Sequence, residues 1–379
     1  MRNRKPLRSS SSAQRVARSG RPRPIPRNPA SLGSLDIFAA LDAPEVLTPL
    51  TSPQRIEDVI AKVRDGLTIS LRNPARVHGW HVQQMFGQVT QALSAVALLK
   101  EEDQGNTWVV GGSGTRPPDF RIVLNDGTNL LVEVKNHFAR RPMSPFGLRN
   151  IDLAAAQRYA DLVRCRLLYA VYWARLGHWT LVDPGRFSTG RSKSTLSMDA
   201  AMRGNEMALL GDYMVWTEPP LTLVLEFDDD TSSFAATSTG RSGLVTIRGV
   251  RFEAAGRVLN GATERRLFWY LLLYGRWTET LESDFEEATL KQVRFRFGPE
   301  EAVPGQNLES IGFLSSLITN AFIIHTAADG EVTRLATDLG TLGESLEVMR
   351  NFSSDELRLV RVVLQTTPLP TEAQTGVSG

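Results

Sequence analysis

The chain holds a single cysteine, Cys165, among its 379 residues, which excludes an internal disulfide and any cysteine-based zinc cluster. It has no apolar run near the about 20 residues that cross a bilayer, and no signal-peptide core follows the basic start. These absences together set the expectation of a cytoplasmic protein. No Gly-x-x-x-x-Gly-Lys occurs, which excludes a nucleotide site of the P-loop type, and no internal repeat suggests a solenoid. A net charge of only +2 says little about partners, but its distribution says more.

Acids are missing from the start until Asp36, while Arg4, Lys5, Arg8, Arg15, Arg18, Arg21 and Arg23 are interleaved with Ser and Pro. Such a segment cannot bury enough apolar surface to offset its ordering entropy, so residues 1–45 are expected to be a disordered basic tail. It could add phosphate contacts that speed capture of nucleic acid, or serve solubility alone. An organelle leader has a similar composition but ranks lower, because nothing amphipathic follows.

The informative stretch runs over residues 118–135. Phe120, Ile122 and Leu124 alternate on one arm and Leu130, Val132 and Val134 on the other, which reads as a hairpin with one buried face. A two-residue Asp126-Gly127 loop pairs Phe120 with Glu133 and spoils that face. A three-residue loop, Asn125-Asp126-Gly127 with a left-handed glycine, pairs Phe120 with Val132 and sets Asp119 opposite Glu133. Lys135 then lies two residues along on the same face. Two carboxylates can hold a hard divalent cation that keeps waters and accepts phosphate oxygens, and an ammonium beside them can orient a water or neutralise a phosphate.

With Pro118-Asp119 as a first half and Glu133-Val134-Lys135 as a second, the sequence resembles the PD-(D/E)xK nuclease superfamily. The resemblance covers about residues 75–185. Around the hairpin, residues 79–99 read as a helix with Val82, Met85, Phe86, Val89, Leu93 and Val96 on one face, residues 152–166 as a second helix, and 167–173 and 179–182 as strands. That order implies an α/β restriction-endonuclease-like core, a mixed central sheet flanked by helices, over residues 46–187. A second α+β domain of unknown role is expected over 199–368.

The resemblance further implies a magnesium-dependent endonuclease acting on DNA, with manganese able to substitute and RNA left open, of the kind that serves as a restriction or anti-phage defence effector. It makes Asp119, Glu133 and the Val134 carbonyl the metal ligands and Lys135 the assistant to the nucleophile. Several families place a glutamine near the site from the second helix, here Gln157 with Tyr159 close by; a solvated helix position is the simpler reading. Many members carry a glutamate on the first helix, where this chain has Gln84, Gln88 and Gln91, with Gln84 at the edge of the buried stripe. Two rival functions follow: a non-cleaving nucleic-acid-binding or scaffold subunit, or a nuclease silent until a partner or ligand engages the C-terminal domain, which could also mediate homo-oligomerisation.

Other features carry less. Arg116 follows Gly111-Gly112-Ser113-Gly114, a loop whose amides could approach a phosphate or merely connect strands. Asn136, His137, Arg140 and Arg141 form a basic stretch that contacts a nucleic-acid backbone or is simply solvated. His78 and His81 lack a third metal partner. Residues 53–65 read as a short helix capped by Ser52, residues 187–198 as a linker or long loop leaving the nuclease-like domain, and Asp228, Asp229 and Asp230 as a solvated turn. Beyond them, 221–227, 244–252 and 293–297 look like strands, 263–274 and 308–323 like helices, and 357–364 fits either.

Overall fold

A computed structural model of the chain describes residues 37–38, 41–42, 49–102, 109, 114–141, 143–228, 233–237, 240–286, 289–299, 305–337 and 340–366. Residues 2–27 of the basic tail, Gly111-Gly112-Ser113, Asp229 and Asp230 lie outside them.

Helices α1 (Pro53–Leu71) and α2 (Pro74–Ala92) each begin on a proline, whose missing N–H is harmless at the first helical position. Asn73 caps α2 by accepting from the Arg76 N–H at 3.3 Å, whereas Ser52 makes no side-chain cap bond. The helix expected over 79–99 therefore starts and stops earlier. Residues 96–101 form strand β1 (Val96–Glu101), antiparallel to β2 (Phe120–Leu124), because a ladder partner satisfies their backbone groups and overrides a helical reading of an ambiguous apolar run.

Strand β3 (Asn129–His137) follows, then β4 (Phe146–Arg149), α3 (Asn150–Val163), β5 (Arg166–Trp173) and β6 (His178–Val182). The sheet order is β1-β2-β3-β5-β6; β3 and β5 are parallel, joined by the α3 crossover, and the other pairs are antiparallel. The result is a mixed sheet. One face, carrying Ile122, Val132 and Val134, meets Met85, Phe86 and Val89 of α2. The other, carrying Leu131, Tyr169 and Val171, meets Ala156 and Ala160 of α3, whose small side chains allow close approach. Burial on both faces explains why β5 reads as a continuous apolar run.

The segment 187–198 is neither a linker nor an irregular long loop. It supplies β7 (Ser188–Thr189) and β8 (Lys193–Leu196), which form a small sheet with β4, and it leads into α4 (Met198–Arg203). Beyond lie β9 (Met214–Thr217), β10 (Leu221–Phe227), β11 (Ser233–Thr237), β12 (Gly240–Leu244), β13 (Ile247–Ala254), β14 (Arg257–Val258), α5 (Ala262–Tyr274), β15 (Thr278–Glu286) and β16 (Thr289–Gly298). Then come β17 (Glu309–Phe313), α6 (Leu314–Thr326), β18 (Ala327–Ala328), β19 (Glu331–Val332), α7 (Gly340–Asn351) and β20 (Leu359–Val362). The helix expected over 308–323 is thus split. Residues 309–313 pair with β9, and only then does α6 begin. Strand β15 escaped the sequence reading because its polar residues show no buried face; all nine are exposed, at the edge of the sheet β14-β13-β10-β16-β15.

The apolar core does not end at residue 187. One cluster runs from Phe86 and Trp179 to Leu317, Ile318 and Phe322 of α6, and the indole Nε1 of Trp179 donates to Thr319 Oγ1 at 2.9 Å. No helix of the described residues is long and apolar enough to cross a membrane.

Candidate active site

The β2–β3 hairpin fixes the site's backbone. Its ladder pairs Phe120 with Val132 and Ile122 with Leu130. The Leu124 N–H donates to Thr128 O at 2.8 Å, and Gly127 adopts a φ of 89°, a left-handed value that glycine tolerates. This is the three-residue loop, and the alternative pairing of Phe120 with Glu133 does not occur. Asp119 immediately precedes β2, and its Oδ2 accepts from the Val134 N–H at 2.6 Å. The carboxylate is therefore tied to the strand that carries Glu133 and Lys135.

Glu133 lies on the α3 side of the sheet and is 1% exposed. One oxygen, Oε1, accepts from both Lys135 and Arg116. The other, Oε2, is buried with no hydrogen-bond partner. An unsatisfied carboxylate oxygen in such a place costs on the order of 1–3 kcal/mol or more, which a cation bound there would offset. Arg116 is held by its surroundings: its N–H donates to Ala155 O of α3 at 3.2 Å, and Arg158 Nε donates to Gly114 O at 3.1 Å. Beside Glu133 in the parallel pair stands Tyr169, whose phenol is pushed well above its ordinary range by burial first and by the Glu133 charge second.

Another acid is nearby that sequence reasoning used only as a helix start. Asp152, in the first turn of α3, is held below the ordinary carboxylate range by its bond to Arg149, with the charges of Arg116 and Lys135 contributing. An acid just inside the helix that follows a Glu-x-Lys strand was the available signal. Only the crossover brings it close.

Asp119, Val134, Lys135 and Asn136 line one wall of a cleft of about 880 Å³. The N-terminal half of α2 forms a second wall with His78 and Gln83, and the far wall comes from Ile323 of α6 and Val332 of β19. The glutamine at the cleft is therefore Gln83. Gln84 instead donates to Glu101 Oε1 at 3.1 Å, and Gln91 to Gly87 O at 3.1 Å, because the helix turns those positions toward β1 or along its own axis.

The remaining sequence candidates separate. Gln157 is exposed and donates to Asp161 one turn on at 2.9 Å, and among the described residues no hydrogen bond joins it to Asp119, Glu133 or Lys135. Tyr159 donates to Glu102 Oε1 at 2.7 Å, in a half-buried cluster where Arg121 also bonds that carboxylate. His137 donates from Nε2 to Ser144 O at 2.8 Å and packs edge-on with Trp173 and Phe146, so it is part of the framework. Arg140 and Arg141 are exposed on the segment leaving β3. His81 is buried against Thr326 Oγ1 at 2.8 Å, and burial lowers its pKa, with His78 adding to the effect.

No family model matches the chain, and no curated protein matches it. Among solved structures it is similar to that of Hjc, a Holliday junction resolvase from the archaeal hyperthermophile Archaeoglobus fulgidus, at 20% identity over 27% of this chain and 83% of that one, with a TM-score of 0.22.

Proposed function

We propose that the chain is a metal-dependent nuclease of the restriction-endonuclease-like type that hydrolyses phosphodiester bonds in DNA. The observation that carries this reading is the grouping of Asp119, Glu133 and Lys135 around one end of β3: Asp119 and Lys135 line a ligand-sized cleft, and Glu133, bonded to Lys135 and itself outside the lining, has Oε2 buried and unpartnered. The sheet order β1-β2-β3-β5-β6, with Asp119 just before β2, Glu133 on β3 and the α3 crossover behind them, supports it.

The donor set fits a hard cation, since all its atoms are oxygens: the carboxylates of Asp119 and Glu133 and the Val134 carbonyl. Bound there, magnesium or manganese would supply a water of lowered pKa and neutralise charge at the scissile phosphate. Lys135 stays on the cleft wall through its bond to Glu133, where its ammonium orients the attacking water or balances the phosphate. Asp119 is held in place by the Val134 N–H, so its carboxylate needs little reorganisation. Arg116 also pairs with Glu133 and so sets a second cation beside that carboxylate.

A plasmid-nicking assay with and without magnesium or manganese tests the reading. Wild type should cleave only with metal, and Lys135→Ala and Asp119→Ala should each lose cleavage while keeping their circular dichroism spectrum. Full activity in either variant sinks the site. One observation favours a non-cleaving nucleic-acid-binding subunit instead: two cations already sit on Glu133, and the first helix turns a glutamine rather than an acid to the cleft. Metal-independent binding with no cleavage by wild type would select that reading.

A further inference from the structure

The walls of the cleft say which form of nucleic acid it takes, an inference that rests on the nuclease reading above. A duplex site is an open, strongly positive surface of about 1,000–2,500 Å² with phosphate contacts on both strands. This cleft is different. Among its described lining residues Lys135 is the sole lysine or arginine, and Asp119 opposes it. The rest of the lining is largely apolar, with Met85, Tyr172, Ile323 and Val332 facing the polar edge of β3. Its volume, about 880 Å³, lies within the range of about 300–1,000 Å³ typical of sites that enclose a small ligand.

At its rim stands Phe138, the residue after β3, which lines the cleft yet is 72% exposed. The guanidinium of Arg175 lies over its ring at 5.1 Å from the centroid. A large aromatic left in solvent beside a candidate phosphodiester site, with a cation supporting the ring, is what a stacking platform for a nucleobase requires. Arg140 and Arg141 are exposed on the segment that follows and are suited to phosphates of the strand outside the cleft.

We propose that the cleft accepts one unpaired strand, a base stacked on Phe138 with its phosphate beside Asp119 and Lys135, so that the substrate is single-stranded DNA in preference to duplex. The far wall, built from α6 and β19, limits the space in which a second strand would have to lie.

Fluorescence anisotropy of the full chain in EDTA tests this, with a labelled 20-nucleotide single strand against the same sequence as a blunt duplex. The single strand should bind at least tenfold more tightly. Phe138→Ala should weaken single-strand binding about tenfold and leave duplex binding unchanged, while Phe138→Trp should restore it. Equal affinity for the two forms, or an equal loss of both in Phe138→Ala, overturns the inference. Cleavage with manganese separates it from the reading beneath it. Duplex cut as fast as single strand defeats the substrate inference and leaves the nuclease intact. Selective binding of single strand without cleavage by any metal defeats the nuclease and leaves the stacking site intact.

Discussion

At the scale of the residue, the glutamines of α2 show how one position along a helix changes the chemistry it can do. Gln83 lines the cleft with Asp119 and Lys135, while Gln84, 100° around the helix, bonds Glu101. Gln83→Glu should therefore add a carboxylate to the wall of the proposed metal site and tighten manganese binding in the free protein, read by calorimetry. Gln84→Glu should not, because it sets a second acid against Glu101 and lowers stability instead. Equal tightening by both substitutions would show that the metal lies nearer β1 than the cleft implies. Phe138 is another single-residue case. Its type was visible in the sequence, but its exposure beside Lys135 was not.

At the scale of the element, α6 begins where it does because of a residue a hundred positions earlier. Phe313 occupies its cap position and offers no side-chain acceptor. Asp212 supplies one: its Oδ1 accepts from the Ser315 N–H at 2.9 Å and its Oδ2 from the Ser315 hydroxyl at 2.6 Å. Burial pushes the Asp212 carboxyl up to about 6, against the opposing pull of the Ser315 and Tyr213 donors. In the unfolded chain it titrates near about 3.9. The native state thus holds the proton more tightly. Stability should fall by about 3 kcal/mol as pH rises from about 4 through 6, and then level off. Asp212→Asn should flatten that part of the profile in urea melts. A slope unchanged by the substitution would assign it to another group.

At the scale of the whole molecule, α6 is the joint. Phe322 is fully buried and packs its ring at a tilt against His81 of α2, centroids 5.0 Å apart, and Thr319 accepts from Trp179 of the mixed sheet. The same helix leads into the far wall of the cleft. Phe322→Ala should cost about 3–5 kcal/mol through the cavity it leaves. Tryptophan fluorescence and far-ultraviolet circular dichroism should shift together in denaturant, because the core of the mixed sheet continues into α6. Two separate transitions, with the fluorescence signal unmoved by the substitution, would show that the two parts unfold independently.

What the sequence determined was local. Alternation over 120–124 and 130–134 and the glycine of the 125–127 loop specify a register, since a one-residue slip turns every apolar side chain of the arm to the wrong face. The helix after the Glu-x-Lys strand and the buried strand that follows it were legible for the same reason, as periods and lengths within a short window. What tertiary structure alone decided was everything that depends on a partner far along the chain. Residues 96–101 are a strand because β2 lies beside them, and 193–196 because β4 does. Glu133 became a buried carboxylate with one oxygen unpaired only when α3 closed over it and Arg116 reached it. The cleft exists only because residues 323–332 stand opposite residues 134–138. Side-chain period is fixed by backbone geometry and can be read locally. Burial, pairing and enclosure are properties of contacts between distant segments, and no local pattern encodes them.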